Sequence, residues 1–93
     1  MNRALLSAKI SEIGPLRHTP AGLPAFDLLL EHESQAIEAG QPRRVLARAK
    51  AVAFGTVAER IAKQPLGSQW TFSGFLATPG TGSRLVLHIQ DFQ

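Results

Sequence analysis

Four basic residues lie within eight positions near the middle of the chain: Arg43, Arg44, Arg48 and Lys50. Guanidinium and ammonium groups bind phosphate oxygens, and a guanidinium plane also stacks on a nucleobase. Ten Lys and Arg against seven Asp and Glu give the chain a formal charge of +3, which favours anionic partners. The chemistry that this cluster predicts is therefore the binding of a phosphate backbone.

No set of residues indicates a catalytic or metal centre. The chain has no cysteine, and its three histidines, His18, His32 and His88, share no metal-ligand spacing. Glu31 and Glu33 fall on one face of an extended strand, but no nucleophile or histidine partner accompanies them. We therefore expect a protein that is not an enzyme and that needs no metal or other cofactor.

The segment from Pro42 to Gly55 fits either a strand or a helix. Helical spacing aligns Val45 with the alanines that follow it, and alanine is the best helix former. Strand spacing separates a small apolar face from a basic face made of Arg44, Leu46, Arg48 and Lys50. Because Thr56 and Glu59 form a capping box that predicts a helix start further on, we interpret the segment as a strand.

Period-two alternation predicts four more strands, in the segments RALLSAKISEIG, AFDLLLEH, SQWTFSGFLAT and RLVLHIQDF. Gly74, inside the fourth strand of the chain, indicates a bulge or a sharp bend. Residues 33–42 lose the alternation and predict an exposed, mobile loop. The inward-facing positions predict the following core: Leu6, Ile10, Phe26, Leu28, Leu30, Val45, Ile61, Trp70, Phe72, Leu85, Leu87 and Ile89.

Five strands with one short helix between the third and fourth predict an all-β fold, a five-stranded OB-fold (oligonucleotide-binding) barrel. We expect residues 1–93 to form this single domain. A β-sandwich would need about seven strands. An alternating α/β fold would need more helices.

No apolar run approaches the roughly 20 residues of a membrane span. The first residues also lack the unbroken apolar centre of a signal peptide. We therefore expect a cytoplasmic protein that contacts no membrane.

Several segments resemble the primosomal replication protein N family of bacteria, which is related to the single-stranded-DNA-binding proteins. These segments are NRALLSAKI, GPLRHTPAGLP, LLLEHESQAIEAGQPRR, GSQWTFSGFLA and LVLHIQ. The resemblance runs from about Asn2 to Gln90. It implies a homodimeric barrel without catalytic activity that binds single-stranded DNA and bridges the restart helicase and a later loading protein of the primosome.

The resemblance also implies positions of DNA contact. Transferred by position, they are Arg17 and His18 in the first hairpin loop, Glu33, Gln41 and Arg43 in the long loop, Leu46 in the third strand and Arg84 in the final hairpin. The basic strand adds Arg44, Arg48 and Lys50. Phe75 is a better candidate for base stacking than Trp70 or Phe72, whose positions face inward.

The chain departs from the family pattern at several of these positions. Glu33 replaces a basic residue, Gln41 and Leu46 replace aromatic residues, and the final hairpin, TPGTGS, is short. Stacking on an aromatic side chain contributes about 1 to 3 kcal/mol per base. Two hypotheses follow: a DNA-binding adaptor in which arginines replace the aromatic platforms, and a protein-only primosome adaptor with little DNA affinity.

Overall fold

The alternating sequence forms six strands and one helix in the computed structural model, which describes residues 1–93. The elements are β1 (Ala4–Ile13), β2 (Arg17–His18), β3 (Pro24–Glu38), β4 (Gln41–Phe54), α1 (Thr56–Ala62), β5 (Gln69–Ala77) and β6 (Val86–Phe92). The two-residue strand β2 lies in the predicted first loop and pairs with the start of β3. The other five strands are those that the sequence predicts.

Strand β1 closes the sheet because it pairs with two strands. Residues Ala4 to Lys9 pair with β5, and Lys9 to Ile13 pair with β3, with a register shift between Ile10 and Glu12. The sheet order is β1-β5-β6-β4-β3-β2, and β4 and β6 are parallel where they meet, at Ala51 and Val52. The closed five-stranded arrangement with a helix between β4 and β5 confirms the predicted OB-fold barrel.

The barrel interior contains most of the predicted core. Phe72, Ile10, Leu30 and Ile61 are the largest fully buried side chains, and Leu28, Leu87 and Ile89 are also buried. Three alanines on β1 and β4 complete the strand part of this core: Ala8, Ala51 and Ala53. Four predicted core residues are only half-buried: Leu6, Phe26, Val45 and Trp70.

The prediction that Leu85 belongs to the core is wrong. Strand β6 begins at Val86, so Leu85 lies in the preceding loop, where it is 59% exposed. Phe92, which the pattern left unassigned, is buried at the other end of β6.

Residues 33–42 form the end of a long hairpin, and the prediction of a loop there is wrong. β3 and β4 pair over fourteen consecutive positions, from Ala25 opposite Phe54 to Glu38 opposite Gln41, without a register shift. Ala39 and Gly40 form the turn, with φ of 52° and 76°. Positive φ at both central residues is the geometry of the hairpin turn that matches strand twist. The hairpin end is exposed on both faces, so its sequence needs no apolar alternation.

Helix α1 begins without the predicted capping box. Gly55, with φ of 69°, is the N-cap residue, and no side chain caps the helix. Thr56 is the first helical residue, and the amide of Glu59 donates to the carbonyl of Gly55. Ala58 and Ile61 pack the helix against the barrel core.

Gly74 permits a bulge in the antiparallel pairing of β5 with β6. Ser73 pairs with Asp91 and Gly74 pairs with Ile89, so Gln90 has no partner. This register shift confirms the bulge that Gly74 indicates and returns Phe92 to the barrel interior. A Cβ atom on Gly74 would overlap the backbone carbonyl of His88.

Arg60 connects α1 to the end of β6. Its guanidinium donates to the Asp91 carboxylate at 2.7 Å and to the Phe92 carbonyl at 2.9 Å, and lies 4.4 Å from the centre of the Phe92 ring. The hydrogen bond from Arg60, helped by one from the backbone at Phe92, lowers the pKa of Asp91 below its ordinary value of 3.8.

This pKa shift gives Asp91 a defined effect on acid stability. Because the folded-state pKa is the lower one, the stabilisation is complete above about pH 5 and is lost as the pH falls through the folded-state pKa. We expect Asp91→Asn to lower the melting temperature at neutral pH and to match the wild type in strong acid. Melting curves measured across the acid range test this, and a difference between the two proteins that does not change with pH would contradict it.

Candidate nucleic-acid interface

Strand β4 presents the predicted basic face. Arg44, Leu46, Arg48 and Lys50 are exposed on the outer side of the sheet, and the exposed fraction of Leu46 is 64%. On the inner side, Val45 and Ala49 are half-buried, while Ala51 and Ala53 are buried. The strand interpretation is therefore confirmed, and the basic residues line one outer surface.

Carboxylates from β3 share this surface. Glu31 lies opposite Arg48, and Glu33 lies opposite Leu46, diagonal to Arg44. Arg44 Nε donates to Glu33 Oε1 at 2.8 Å, whereas Arg48 Nε is 3.9 Å from Glu31 Oε1, beyond hydrogen-bond range. We call this surface, made of Glu31, Glu33, Arg44, Leu46, Arg48 and Lys50, the hairpin face.

Basic neighbours stabilise the charged form of Glu33. The hydrogen bond from Arg44, with its positive charge, lowers the pKa of Glu33, and the charge of Lys9 on β1 acts in the same direction. Lys9 is a neighbour that the sequence pattern did not predict. Its position opposite Glu31 in the β1–β3 ladder could have indicated it.

Lys50 has no carboxylate partner. It lines an open groove of about 400 Å³ between β1, β3, β4 and the start of β6, together with Glu12, Asp27 and Val86. Arg84 lies in the loop before β6, two residues from Val86, and is also exposed and without an ion pair. The Lys50 end of the hairpin face therefore lies near the loop that contains Arg84.

Arg17 and His18 lie at the opposite end of β3. Arg17 pairs with Ala25 and Arg44 pairs with Gln35, ten residues further along β3, which corresponds to about 33 Å of strand. Arg17 binds the Asp27 carboxylate through two hydrogen bonds of 2.8 and 3.0 Å, which lower the pKa of Asp27. The structure does not bring these residues into one cluster with the arginines of the hairpin.

Arg43 and Gln41 lie near the hairpin turn. Arg43 is directly opposite Ala36, on the other face from Arg44, and donates to Glu38 at 2.6 Å. Gln41 is exposed opposite Glu38. Arg43 and Arg44 are adjacent in sequence, yet they point to different sides of the sheet.

Aromatic side chains form a row on the outer side of the barrel. The ring of Phe75 stacks on the ring of His88, with 4.8 Å between their centres. The centre of the Phe54 ring lies 5.9 Å from the centre of the His88 ring. The guanidinium of Arg17 lies 5.8 Å from the centre of the Phe54 ring. Phe54 was not predicted, although its even number continues the outer face of β4.

Phe72 belongs to the core, as its position predicts, and Trp70 is half-buried against the core. Phe72 is fully buried. The Trp70 ring packs edge-on against Phe92 at 5.1 Å, and its Nε1 donates to the Ser68 hydroxyl at 2.9 Å. The Phe72 ring is therefore not free to stack on a base.

No group of three or more His, Cys, Asp or Glu side chains could hold a metal ion. No helix has the length and apolar character needed to cross a membrane.

The fold and the hairpin face define an OB-fold protein with an exposed basic surface. A family model described as "another single-strand binding protein family" matches residues 2–91, and the chain therefore belongs to that family. The chain is 50% identical over 91 residues to the replication restart protein PriB of Bordetella pertussis, an alignment that covers 97% of this chain and 85% of the relative.

Solved structures agree with this assignment. The structure of PriB from Ralstonia solanacearum superimposes with a TM-score of 0.91 at 33% identity, covering 100% of this chain and 96% of that one. The single-stranded DNA-binding protein of Thermus aquaticus shares the fold, with a TM-score of 0.77 at 22% identity over 100% of this chain and 49% of that one. The family resemblance predicted from the sequence is confirmed.

Proposed function

We propose that this protein is a non-catalytic accessory protein of the replication-restart primosome that binds single-stranded DNA. The names of its relatives and the description of its family support this role. The observation that carries the proposal is the alignment of Arg44, Leu46, Arg48 and Lys50 on one exposed face of β4. Three cations on one face of an extended strand can contact a flexible phosphate backbone.

Binding on the hairpin face would be insensitive to sequence. Guanidinium groups neutralise phosphates and stack on any base, and Leu46 offers an apolar contact to a sugar or a base. Nothing on this face presents a fixed set of donors and acceptors to base edges. Glu33 holds the Nε of Arg44 and repels an approaching phosphate, which makes the affinity modest and dependent on salt.

The adaptor role requires contacts with proteins as well. We propose that the chain bridges the restart helicase and a primosome loading protein, in the cytoplasm and as a homodimer. The outer face of β1 supports the dimer, since Leu5 is 74% exposed there beside Ser7 and Lys9. Two copies could cover this face symmetrically.

Fluorescence anisotropy of labelled oligo(dT) at several salt concentrations tests the DNA-binding proposal. If three phosphates are contacted, the logarithm of the association constant falls against the logarithm of salt with a slope of about −2. A wild-type protein that leaves oligo(dT) free even at low salt would contradict DNA binding.

One observation favours a protein-only adaptor as the second candidate. Arg17, Arg43, Arg44 and Arg48 each lie within 4.0 Å of a carboxylate of the same chain. Such a protein would bind the restart helicase in sedimentation experiments and leave oligo(dT) unbound. The same anisotropy series therefore separates the two candidates.

Glu33 should limit the DNA affinity of the hairpin face. Glu33→Gln removes the carboxylate that competes with phosphate for Arg44 and that repels the DNA backbone, so we expect oligo(dT) to bind about fivefold more tightly at low salt. Anisotropy titrations of the variant and the wild type measure the difference.

Glu38→Gln is the matched control, because it removes the same charge from the same hairpin but releases Arg43 on the other face. We expect a smaller gain from this variant. Equal gains from both variants would show that net charge alone sets the affinity.

A further inference from the structure

One edge of β4 has no neighbouring strand over most of its length. β4 pairs with β3 along its whole length, but it meets β6 only at Ala51 and Val52. From Arg43 to Lys50, every second residue therefore directs its backbone N–H and C=O groups away from the sheet. No proline, glycine or bulge interrupts these eight positions.

Natural proteins commonly block such an edge, because a row of free backbone groups can add another strand. Pro42 protects only the end of β4 beside the turn. The remaining edge is uninterrupted and long enough to pair with a peptide of about eight residues.

The side chains along this edge favour an acidic strand. Arg44 uses only its Nε in a hydrogen bond with the chain, and Arg48 makes none. Their terminal nitrogens can therefore donate to carboxylates on the open side while Glu33 and Glu31 remain on the β3 side. Exposed Leu46, between the two arginines, gives an added strand an apolar contact.

A second copy of this chain matches the edge poorly. Two β4 edges would place arginines against arginines. The acidic strand β3 already directs Glu33 and Glu38 to the arginines of its own hairpin.

We propose that the free edge of β4, from Arg43 to Lys50, adds an extended acidic segment of a protein partner as a further strand. Backbone hydrogen bonds hold the segment, and its carboxylates at alternate positions select it. This interaction shares Arg44, Leu46 and Arg48 with the hairpin face, but it does not rest on the proposed DNA binding. The backbone edge of β4 holds the segment, and the protein-only adaptor could possess that edge equally.

The test uses a labelled peptide of about eight residues in which glutamate alternates with threonine, and a lysine–threonine peptide as the control. Anisotropy should show the acidic peptide binding at least about tenfold more tightly than the basic one. Amide hydrogen exchange of the protein, followed by NMR, then reports the mode of binding. We expect every second amide between Arg43 and Lys50 to slow on addition of the acidic peptide.

Four further outcomes decide for or against the proposal. Binding of the acidic peptide without protection of alternate β4 amides would mean charge attraction alone. Protection of those amides in the free protein would mean that a second copy already occupies the edge. Arg44→Gln with Arg48→Gln should abolish the preference for the acidic peptide, while high peptide concentrations still protect the same amides. Loss of that protection as well would show that the backbone edge does not bind.

Discussion

Replacing Arg44 and Arg48 together by glutamine is expected to weaken oligo(dT) binding about a hundredfold, because hydrogen bonds to charged groups contribute about tenfold or more each. The two arginines lie on the same outer face, four residues apart on β4, where one DNA strand can contact both. The salt dependence should also decrease, by a slope of about 1.4 for two lost phosphate contacts. Anisotropy titrations at several salt concentrations measure both effects.

A control variant with the same loss of charge is Arg3→Gln combined with Lys63→Gln. Both residues are exposed and neither forms an ion pair. We expect this variant to retain most of the wild-type affinity, since its substitutions lie away from the hairpin face. If the two double variants weaken binding equally, the protein attracts DNA through its net charge and the hairpin face is not a site.

Replacing Gly74 by alanine should destabilise the fold by about 3 kcal/mol, because an added methyl group would overlap the carbonyl of His88 at the β5–β6 bulge. Backbone atoms on both strands would have to move, and the bulge also positions Phe92 in the core. The melting temperature should fall by about 12 °C or more. Thermal melts followed by circular dichroism measure this change.

Gly82→Ala is the matched control for this stability effect. A Cβ atom at Gly82 would meet its nearest neighbour, the Pro79 carbonyl, at an ordinary distance of 3.6 Å. We expect a change within about 0.5 kcal/mol. A Gly74→Ala protein as stable as the Gly82→Ala protein would show that the bulge relaxes without cost.

The sequence predicts the barrel because burial imposes alternation where strands line a core. The predicted strands, the position of the helix and the bulge at Gly74 all lie where one face of the chain is buried. The strands at residues 33–42 were not predicted, because neither of their faces is buried and no alternation is imposed there. The hairpin end has water on both faces, and the Ala39–Gly40 turn, rather than an apolar pattern, extends the pairing.

The candidate site was predicted in part. Strand periodicity places Arg44, Leu46, Arg48 and Lys50 on one face, because that grouping depends only on the two-residue repeat. The carboxylates opposite the arginines depend on the pairing register between β3 and β4, which the turn position determines. Periodicity within one strand cannot reveal this register. The distance between Arg17 and Arg44 depends on the length of β3, which periodicity also does not reveal.

The most direct test of DNA binding on the hairpin face is NMR of the arginine Nε–Hε groups during titration with oligo(dT). The signals of Arg44 and Arg48 should shift as phosphates contact their guanidinium groups, while the signal of Arg60, held by Asp91 and Phe92, stays unchanged. If oligo(dT) binds by anisotropy and the Arg44 and Arg48 signals do not move, the hairpin face is not the DNA site.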